Sequence, residues 1–438
     1  MASISPELES VKSHLDEHVT DEHINQACTA SGHTWRNRKL TPAVTIKLFV
    51  LQILHKNVSC RELRHFTNIV FSSVAFCNAR KRLPLDVVKK LCESVTASVR
   101  QQVNAATGCA LWCGHRTWMV DGTGVSMPDT PSLKNAFGLA GGVKDGCGFP
   151  VAHMLFLMDI TSGFINGFTV DPCNTSDQTK VGSLLGSLKP NDVLVADRGF
   201  SSFAHFALLL QGQLHGLCRR HQKLIDPGKK KNTKTMMQRI KRLGRCDNLV
   251  ELRKPRQKPK WMRREDWEPL QETILLRQVT YRITRKGYRT REVALLTTLL
   301  DPTKYPLSEL KKLYLARWQI EVNIRHLKTT MGMNVLHCKD VEGVLKELWI
   351  YALVYNLVQH EILAASQRQK VKPDRISFID TLDAMRHGGL VLIVVVNPDR
   401  TDRNHPIEPR AVKRRKTTHS HLTVPREEAR QALSEKRK

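Results

Sequence analysis

Long apolar runs are missing from this 438-residue sequence. No 18 consecutive apolar residues occur, and the longest candidate, Leu390 to Val396, is too short for a membrane span. Paired cysteine motifs are missing too. Eleven cysteines are an odd number, with no repeated CxxC, and the segment from Met1 to His18 is acidic instead of basic and then apolar. Those features speak against a disulfide-stapled secreted fold and a signal peptide, and imply reduced thiols. Cys109-x3-Cys113-x-His115 has no fourth ligand at zinc spacing, so buried thiols are the preferred reading. Acidic residues are scarce: 41 Asp and Glu face 69 Lys and Arg, a formal charge of +28. Such a surplus makes nucleic acid the leading partner, although a ribosomal or membrane-surface site would satisfy charge alone.

With 41% hydrophobic residues the chain can bury a sizeable core, and its length suggests two or three domains. Residues 1–108 read as a helical N-terminal domain. Thr41 can cap a helix running to about His55, and Ser59-Cys-Arg-Glu62 has a capping-box pattern. The basic stretch Asn78-Ala-Arg80-Lys81-Arg82-Leu-Pro84 leads into a helix from about Leu85 to Val103. Short helices with Arg80, Lys81 and Arg82 at one end fit a helix-turn-helix-like DNA reader; a bundle with a solvated basic face fits equally.

From Thr117 the pattern changes to strands at Thr117 to Val120, Val151 to Met158 and Phe164 to Val170. A polar helix from about Ser176 to Leu188 precedes the buried-strand run Asp192-Val-Leu-Val-Ala-Asp197; a helix from Phe203 to Leu210 and a strand near Leu214 to Cys218 follow. Three strands, helix, strand, helix, strand over 109–220 is the order of an α/β, RNase H-like core with a mixed five-stranded sheet.

The helix that should close such a core does not come next. Residues 221–267 hold 16 Lys and Arg against 5 Asp and Glu, too polar to form a core alone, and Pro227, Pro255 and Pro259 argue against long regular elements. Strands return at Glu272 to Thr284 and Glu292 to Thr298, around a Gly287-Tyr turn. Residues 221–302 are therefore expected to be a basic, β-rich insertion. Residues 303–396 would supply the closing helix and C-terminal helices, and 397–438 a basic flexible tail.

Nothing from Ser308 to Met331 is Pro or Gly, which predicts one helix. At about 100° per residue, Tyr314, Arg317, Arg325 and Lys328 fall within roughly 40° of Glu321. The flanks, Leu313, Ala316, Ile320, Ile324 and Leu327 on one side and Trp318 and Val322 on the other, are apolar and expected to pack, leaving the seam in a cleft. Cations can hold phosphate there while the carboxylate holds metal; an Arg317–Glu321 ion pair on a solvated face has the same spacing. Asp121 ends the first core strand and Asp197 the fourth, strands that are neighbours in an RNase H-like sheet. Each alone reads as a turn residue. Together with Glu321 they would form three carboxylates that repel unless cations are bound, the arrangement suited to two-metal phosphoryl transfer with Mg²⁺.

Tyr314-x2-Arg317-x3-Glu321-x6-Lys328 resembles the helix signature of the DDE transposases of bacterial insertion sequences, in the insertion-sequence-four group. Asp121-Gly-Thr, Asp197-Arg198-Gly-Phe and the inserted segment look like that group as well, so the resemblance covers roughly 110–335. The helix signature is specific; the two aspartate motifs alone are not. The resemblance implies cleavage at the element's ends and transfer of the 3′-hydroxyl into target DNA. Asp121, Asp197 and Glu321 would be the catalytic metal ligands for two Mg²⁺ ions, with Mn²⁺ as the substitute. Tyr314, Arg317, Arg325, Lys328 and Arg198 would grip DNA, and Trp267 or Trp261 could stack a flipped base or simply pack the insertion on the core. The implied partners are double-stranded terminal repeats, target DNA and a second copy in a homodimer, in a bacterial cytoplasm at the nucleoid. A catalytically silent DNA-binding descendant and a structure-selective nuclease share these features.

Overall fold

The computed structural model describes residues 17–107, 111–140, 147–220, 237–283, 291–387 and 424–435. Helices α1 (Asp21–Ala30), α2 (Pro42–Leu54), α3 (Ser73–Arg82) and α4 (Leu85–Thr107) come first. Their starts follow from local chemistry. Thr20, Thr41 and Ser72 accept backbone N–H groups three residues on at 3.1, 3.3 and 3.1 Å, and Pro42 stands at the start of α2, where its missing N–H costs nothing. Ser59 likewise accepts from Glu62 N at 3.2 Å, but opens only the short 3-10 segment Glu62–Phe66.

Strands β1 (Thr117–Ser126), β2 (Val151–Asp159) and β3 (Ile165–Pro172) follow, with helix α5 (Pro131–Phe137) between the first two. Then come α6 (Asp177–Leu185), β4 (Val193–Ala196), α7 (Phe203–Gln211) and β5 (His215–Arg219). The remaining strands are β6 (Met237–Gly244), β7 (Asp247–Arg253), β8 (Thr273–Ile283) and β9 (Arg291–Thr297), with the one-turn α8 (Arg264–Trp267) before β8. Their order across one sheet is β3-β2-β1-β4-β5-β9-β8-β7-β6. β2 runs antiparallel to β1 and β3, whereas β1, β4 and β5 are parallel neighbours.

The sheet thus has nine strands: a five-stranded core was expected, and the strands expected in the insertion near 272–284 and 292–298 join the same sheet as β8 and β9, together with the unexpected β6 and β7. β5 is apolar and buried at Gly216, Leu217 and Cys218, and its outer edge is covered by β9 in antiparallel register, Leu217 opposite Thr297. Pro255 and Pro259 sit after β7 and Pro227 lies outside the described residues, and the 237–253 stretch, expected to be irregular, forms a hairpin. Val250 and Leu252 of β7 enter the core, while Arg239, Lys241 and Arg242 of β6 stay exposed on the sheet's last strand, where charge discourages further pairing. The Gly287 turn and most of the expected tail lie outside the described residues; within that tail Arg426–Glu435 is helical.

Three more helices complete the part that carries the site: α9 (Leu307–Ala316), α10 (Trp318–Arg325) and α11 (Val341–Arg368); α12 (Phe378–His387) follows. Asp340 caps α11 by accepting from Gly343 N at 2.8 Å. The buried Glu347 of α11 accepts from Asn57 Nδ2 at 2.6 Å and from the backbone of His337 and Cys338 at 2.9 Å each, and Asn356 bonds both backbone groups of Ile165 in β3. Ile46, Phe49 and Leu91 from the N-terminal helices, Tyr351 and Tyr355 from α11, and Met119 and Met154 from the sheet share one hydrophobic cluster. The N-terminal helices therefore have no separate core. None of the helices among the described residues is long and apolar enough to cross a membrane.

Candidate active site

β1 does not end at Asp121, as expected, but continues through Gly122, Thr123 and Gly124 to Ser126 alongside β2, with Asp121 opposite Phe156 and Gly124 opposite His153. Two glycines that read as a turn are here extended backbone. Gly122 clears room: a Cβ there would lie 2.8 Å from Cγ and Oδ2 of Asp177, and closer still to Oδ1. Asp177, the first residue of α6, is hydrogen-bonded to His153 of β2. Because side chains alternate along a strand, Gly122 faces this pair with Trp118 and Val120, and Asp121 faces the other side with Met119 and Val125. Ile320, Ile324 and Leu327 belong to that second face.

β4 pairs with β1 at Met119–Val195, and the same register carried two residues onward sets Asp197 beside Asp121. Asp197 Oδ1 accepts from Gly199 N at 2.7 Å, which fixes the turn it begins. Glu321 arrives on α10. The helix expected to be continuous is interrupted: Arg317 N and Ile320 N each bond the carbonyl three residues back, at 3.2 and 3.1 Å, so the chain tightens at Arg317. A π-helical turn, His326–Thr330, follows α10. Leu313, Ile320, Ile324 and Leu327 pack as expected, but Trp318 is 56% exposed, because the tightened turn directs it outward. Only one flank of the seam is fully buried.

Arg317 is the centre of the seam, with its side chain 9% exposed. Its Nη2 lies 3.1 Å from Glu321 Oε1 and its Nη1 3.9 Å from Asp121 Oδ2. The Arg317–Glu321 pair exists, with Arg317 buried and the Glu321 side chain 43% exposed, so it sits at the solvent-facing rim of a cluster that also holds Asp121. Burial pushes the Asp121 carboxyl up to about 6; the Gly122 N–H and Arg317 oppose that rise, and the negative neighbours Glu321 and Asp197 reinforce it. Among the described residues the one trio of ligand-type side chains whose ligand atoms all lie within 4.8 Å of one another is His18, His360 and Glu361. The three acidic residues therefore form an open set, with the Arg317 guanidinium among them, instead of a closed cage.

Lys328 reaches back from the π-turn, donating to Thr123 Oγ1 at 3.0 Å and Gly124 O at 2.7 Å, and so fastens the helix to β1 just beyond Asp121. Tyr314 is buried with Arg317 5.8 Å above its ring, and Arg325 and Arg198 are exposed nearby in sequence. Two of the expected DNA contacts lie in packed surroundings. Arg80 is packed inside the N-terminal helices, over Phe49 at 4.7 Å and Phe76 at 5.1 Å and bonded to Gln52, leaving Lys81 and Arg82 as the exposed cations there. Trp267, 7% exposed, packs edge-on against Phe203 at 5.8 Å with Lys254 above it, so its faces are enclosed; Trp261 is half-buried and stacks on His205 at 5.1 Å. His115 bonds Asn191 O and Tyr305 Oη, both at 2.7 Å, in keeping with a non-ligating role, while Cys109 lies outside the described residues. Sequence reasoning missed the His153–Asp177 pair: neither residue stands in a motif, and only the two glycines opposite hint at close packing.

The family model described as the transposase DDE domain matches residues 112–357. Transposase InsG for insertion sequence element IS4, from Escherichia coli (strain K12), is 26% identical over 378 residues, which span 84% of this chain and 80% of that protein. A solved piggyBac transposase, in a synaptic complex with hairpin DNA, aligns over 86% of this chain and 79% of its own with a TM-score of 0.44 and 10% identity. With its family match spanning more than half of its length, the chain belongs to the transposase DDE domain family and is a DNA transposase of the IS4 type.

Proposed function

We propose that this transposase cleaves DNA at the ends of an insertion sequence and transfers the freed 3′-hydroxyl into target DNA, with Asp121, Asp197 and Glu321 as metal ligands. The observation that supports this most is the shared surroundings of those residues: Asp121 on β1 with Asp197, just past the end of the adjacent parallel β4, as a charged neighbour, and Glu321 linked to Asp121 through Arg317. The donor set fits hard divalent cations, because it is three carboxylates, and the guanidinium already among them marks a place where positive charge is favoured. Two Mg²⁺ ions, or Mn²⁺ in their place, would activate the attacking water or hydroxyl and offset charge on the leaving oxygen.

The remaining work falls to the chain's own groups. Arg317 lies within reach of a phosphate held between Asp121 and Glu321, and Arg325 and Arg198 are exposed to neutralise the flanking strand. Lys328 holds β1 in place and presents charge to the same strand, and Tyr314 supports the Arg317 guanidinium from below. The first five strands in the order β3-β2-β1-β4-β5 serve as an RNase H-like core. The surplus of cations, with Lys81 and Arg82 exposed on α3, suits double-stranded terminal repeats and target DNA. Since two ends must be cut in one assembly, the active form is a homodimer on DNA, in the cytoplasm at the nucleoid.

Asp197→Ala is expected to abolish Mg²⁺-dependent cleavage and joining while end binding persists; cleavage that survives the substitution overturns the proposal. A joining assay on labelled ends separates the readings further, because hydrolysis without joining would identify a nuclease.

A further inference from the structure

Away from the acidic site, two imidazoles and a carboxylate meet between the N-terminal segment and the long helix α11. His18 lies just before Thr20, the cap of α1, and its carbonyl accepts from His23 Nδ1 at 3.1 Å, which steadies the backbone there. His360 and Glu361 are consecutive residues of α11, one turn beyond Asn356, which bonds β3. Ligand atoms of the three side chains all lie within 4.8 Å of one another. His18 is 4% exposed and Glu361 5%, and the two imidazole rings meet edge to face with centroids 4.6 Å apart. His360 Nδ1 is 3.4 Å from Glu361 Oε1, and Arg368 approaches the other oxygen at 3.7 Å.

We propose that His18, His360 and Glu361 are an open, three-ligand transition-metal site, suited to Zn²⁺, that clamps the start of the N-terminal helices to α11. Two imidazole nitrogens and one carboxylate oxygen suit zinc and not Mg²⁺, which prefers oxygen ligands throughout. A zinc ion with bonds of about 2.0–2.2 Å sets its ligands about 3.4 Å apart, so modest turns of the rings close the site, and water takes the fourth position. Charge is also accommodated. The dication meets two neutral imidazoles and one carboxylate oxygen, while Arg368 stays on the oxygen facing away. Because the clamp joins segments that are far apart in sequence, it would hold α1–α3, with Lys81 and Arg82, at a fixed angle to the helix that anchors β3.

The test uses the full chain carrying Asp197→Ala, so that the acidic site does not contribute the signal. The protein is stripped with chelator and titrated with Zn²⁺ against a competing dye, and with Co²⁺ while its visible d–d absorption is followed. The expected result is one Zn²⁺ per chain, a rise in thermal midpoint on zinc addition, and a four-coordinate cobalt spectrum. His18→Ala and His360→Gln are each expected to weaken zinc at least about tenfold and to remove both the midpoint rise and the spectrum. Helix content by circular dichroism checks that the variants fold, and two variants guard against the failure of one. Absence of stoichiometric Zn²⁺, or unchanged affinity in a folded variant, would overturn the site.

Discussion

Gly122→Ala is the most demanding test of how Asp121 is held. The new Cβ would lie 2.8 Å from Cγ and Oδ2 of Asp177, inside any van der Waals contact, and Asp177 cannot simply turn away because His153 holds it. Either the carboxylate leaves the imidazole or β1 moves. Overpacking of this kind costs about 1–3 kcal/mol, and loss of a hydrogen bond to a charged group about 1.5–3 kcal/mol, so a total of about 2–4 kcal/mol is expected, given that the two overlap. Asp177→Ala removes the obstacle. On its own it costs about 1–3 kcal/mol by leaving His153 without its carboxylate, but in that background Gly122→Ala adds little, giving a coupling of about 1–3 kcal/mol in a double-mutant cycle. The four proteins are compared by urea unfolding near neutral pH and by end cleavage, which is expected to fall at least about tenfold in Gly122→Ala and to recover in part in the double variant, since Asp121 is the neighbouring residue. Additive costs, or a Gly122→Ala protein as stable as the parent, would refute the idea that the glycine exists to admit Asp177.

The same pair makes stability depend on pH. Hydrogen bonding and charge from Asp177 hold the His153 imidazolium above its ordinary 6.5, partly opposed by burial, so the folded chain binds this proton more tightly than the unfolded one. Its contribution is full below pH 6.5 and disappears as pH rises through the folded value; thermal midpoints from pH 5.5 to 8.5 should show that loss, and His153→Gln should flatten it. Trp267→Ala is expected to cost about 3–5 kcal/mol of stability as a buried aromatic, whereas Trp261→Ala, half-buried and stacked on His205, should cost less, about 1–2 kcal/mol; equal losses in a thermal melt would contradict their different burial. Lys328→Met keeps the stem but loses two hydrogen bonds to β1, and should cost about 1–3 kcal/mol as well as weakening end cleavage; unaltered unfolding would deny it the fastening role.

Much of this was legible beforehand because the chemistry is local. Thr41 caps the helix that it announces, Val193–Ala196 is buried as an apolar four-residue run between turn residues should be, and the spacing of Tyr314, Arg317 and Glu321 brings Arg317 against both of the others despite the break. What escaped was set by distant partners. Gly122 and Gly124 have the composition of a turn, yet pairing with Leu155 and His153 of β2 keeps them extended. Arg80 looks like a surface cation until Phe49 and Phe76 are seen beneath it. The basic hairpin β6–β7 shows no periodicity strong enough to offset its charge, and acquires its order by pairing with β8. Trp318 was assigned to an apolar flank by a 100° step that the tightened turn at Arg317 does not follow.

The pairing of β5 with β9 also has a consequence for how the protein comes into being. β5 ends at Arg219 and its partner begins at Arg291, so at about 5–20 residues per second several seconds of translation pass with that edge bare. During this interval a nascent chain holds Asp121 and Asp197 but has not yet made Glu321. An abandoned ribosomal product, or one truncated by a frameshift inside the insertion, would lack the third carboxylate and expose an unpaired strand inviting aggregation and disposal.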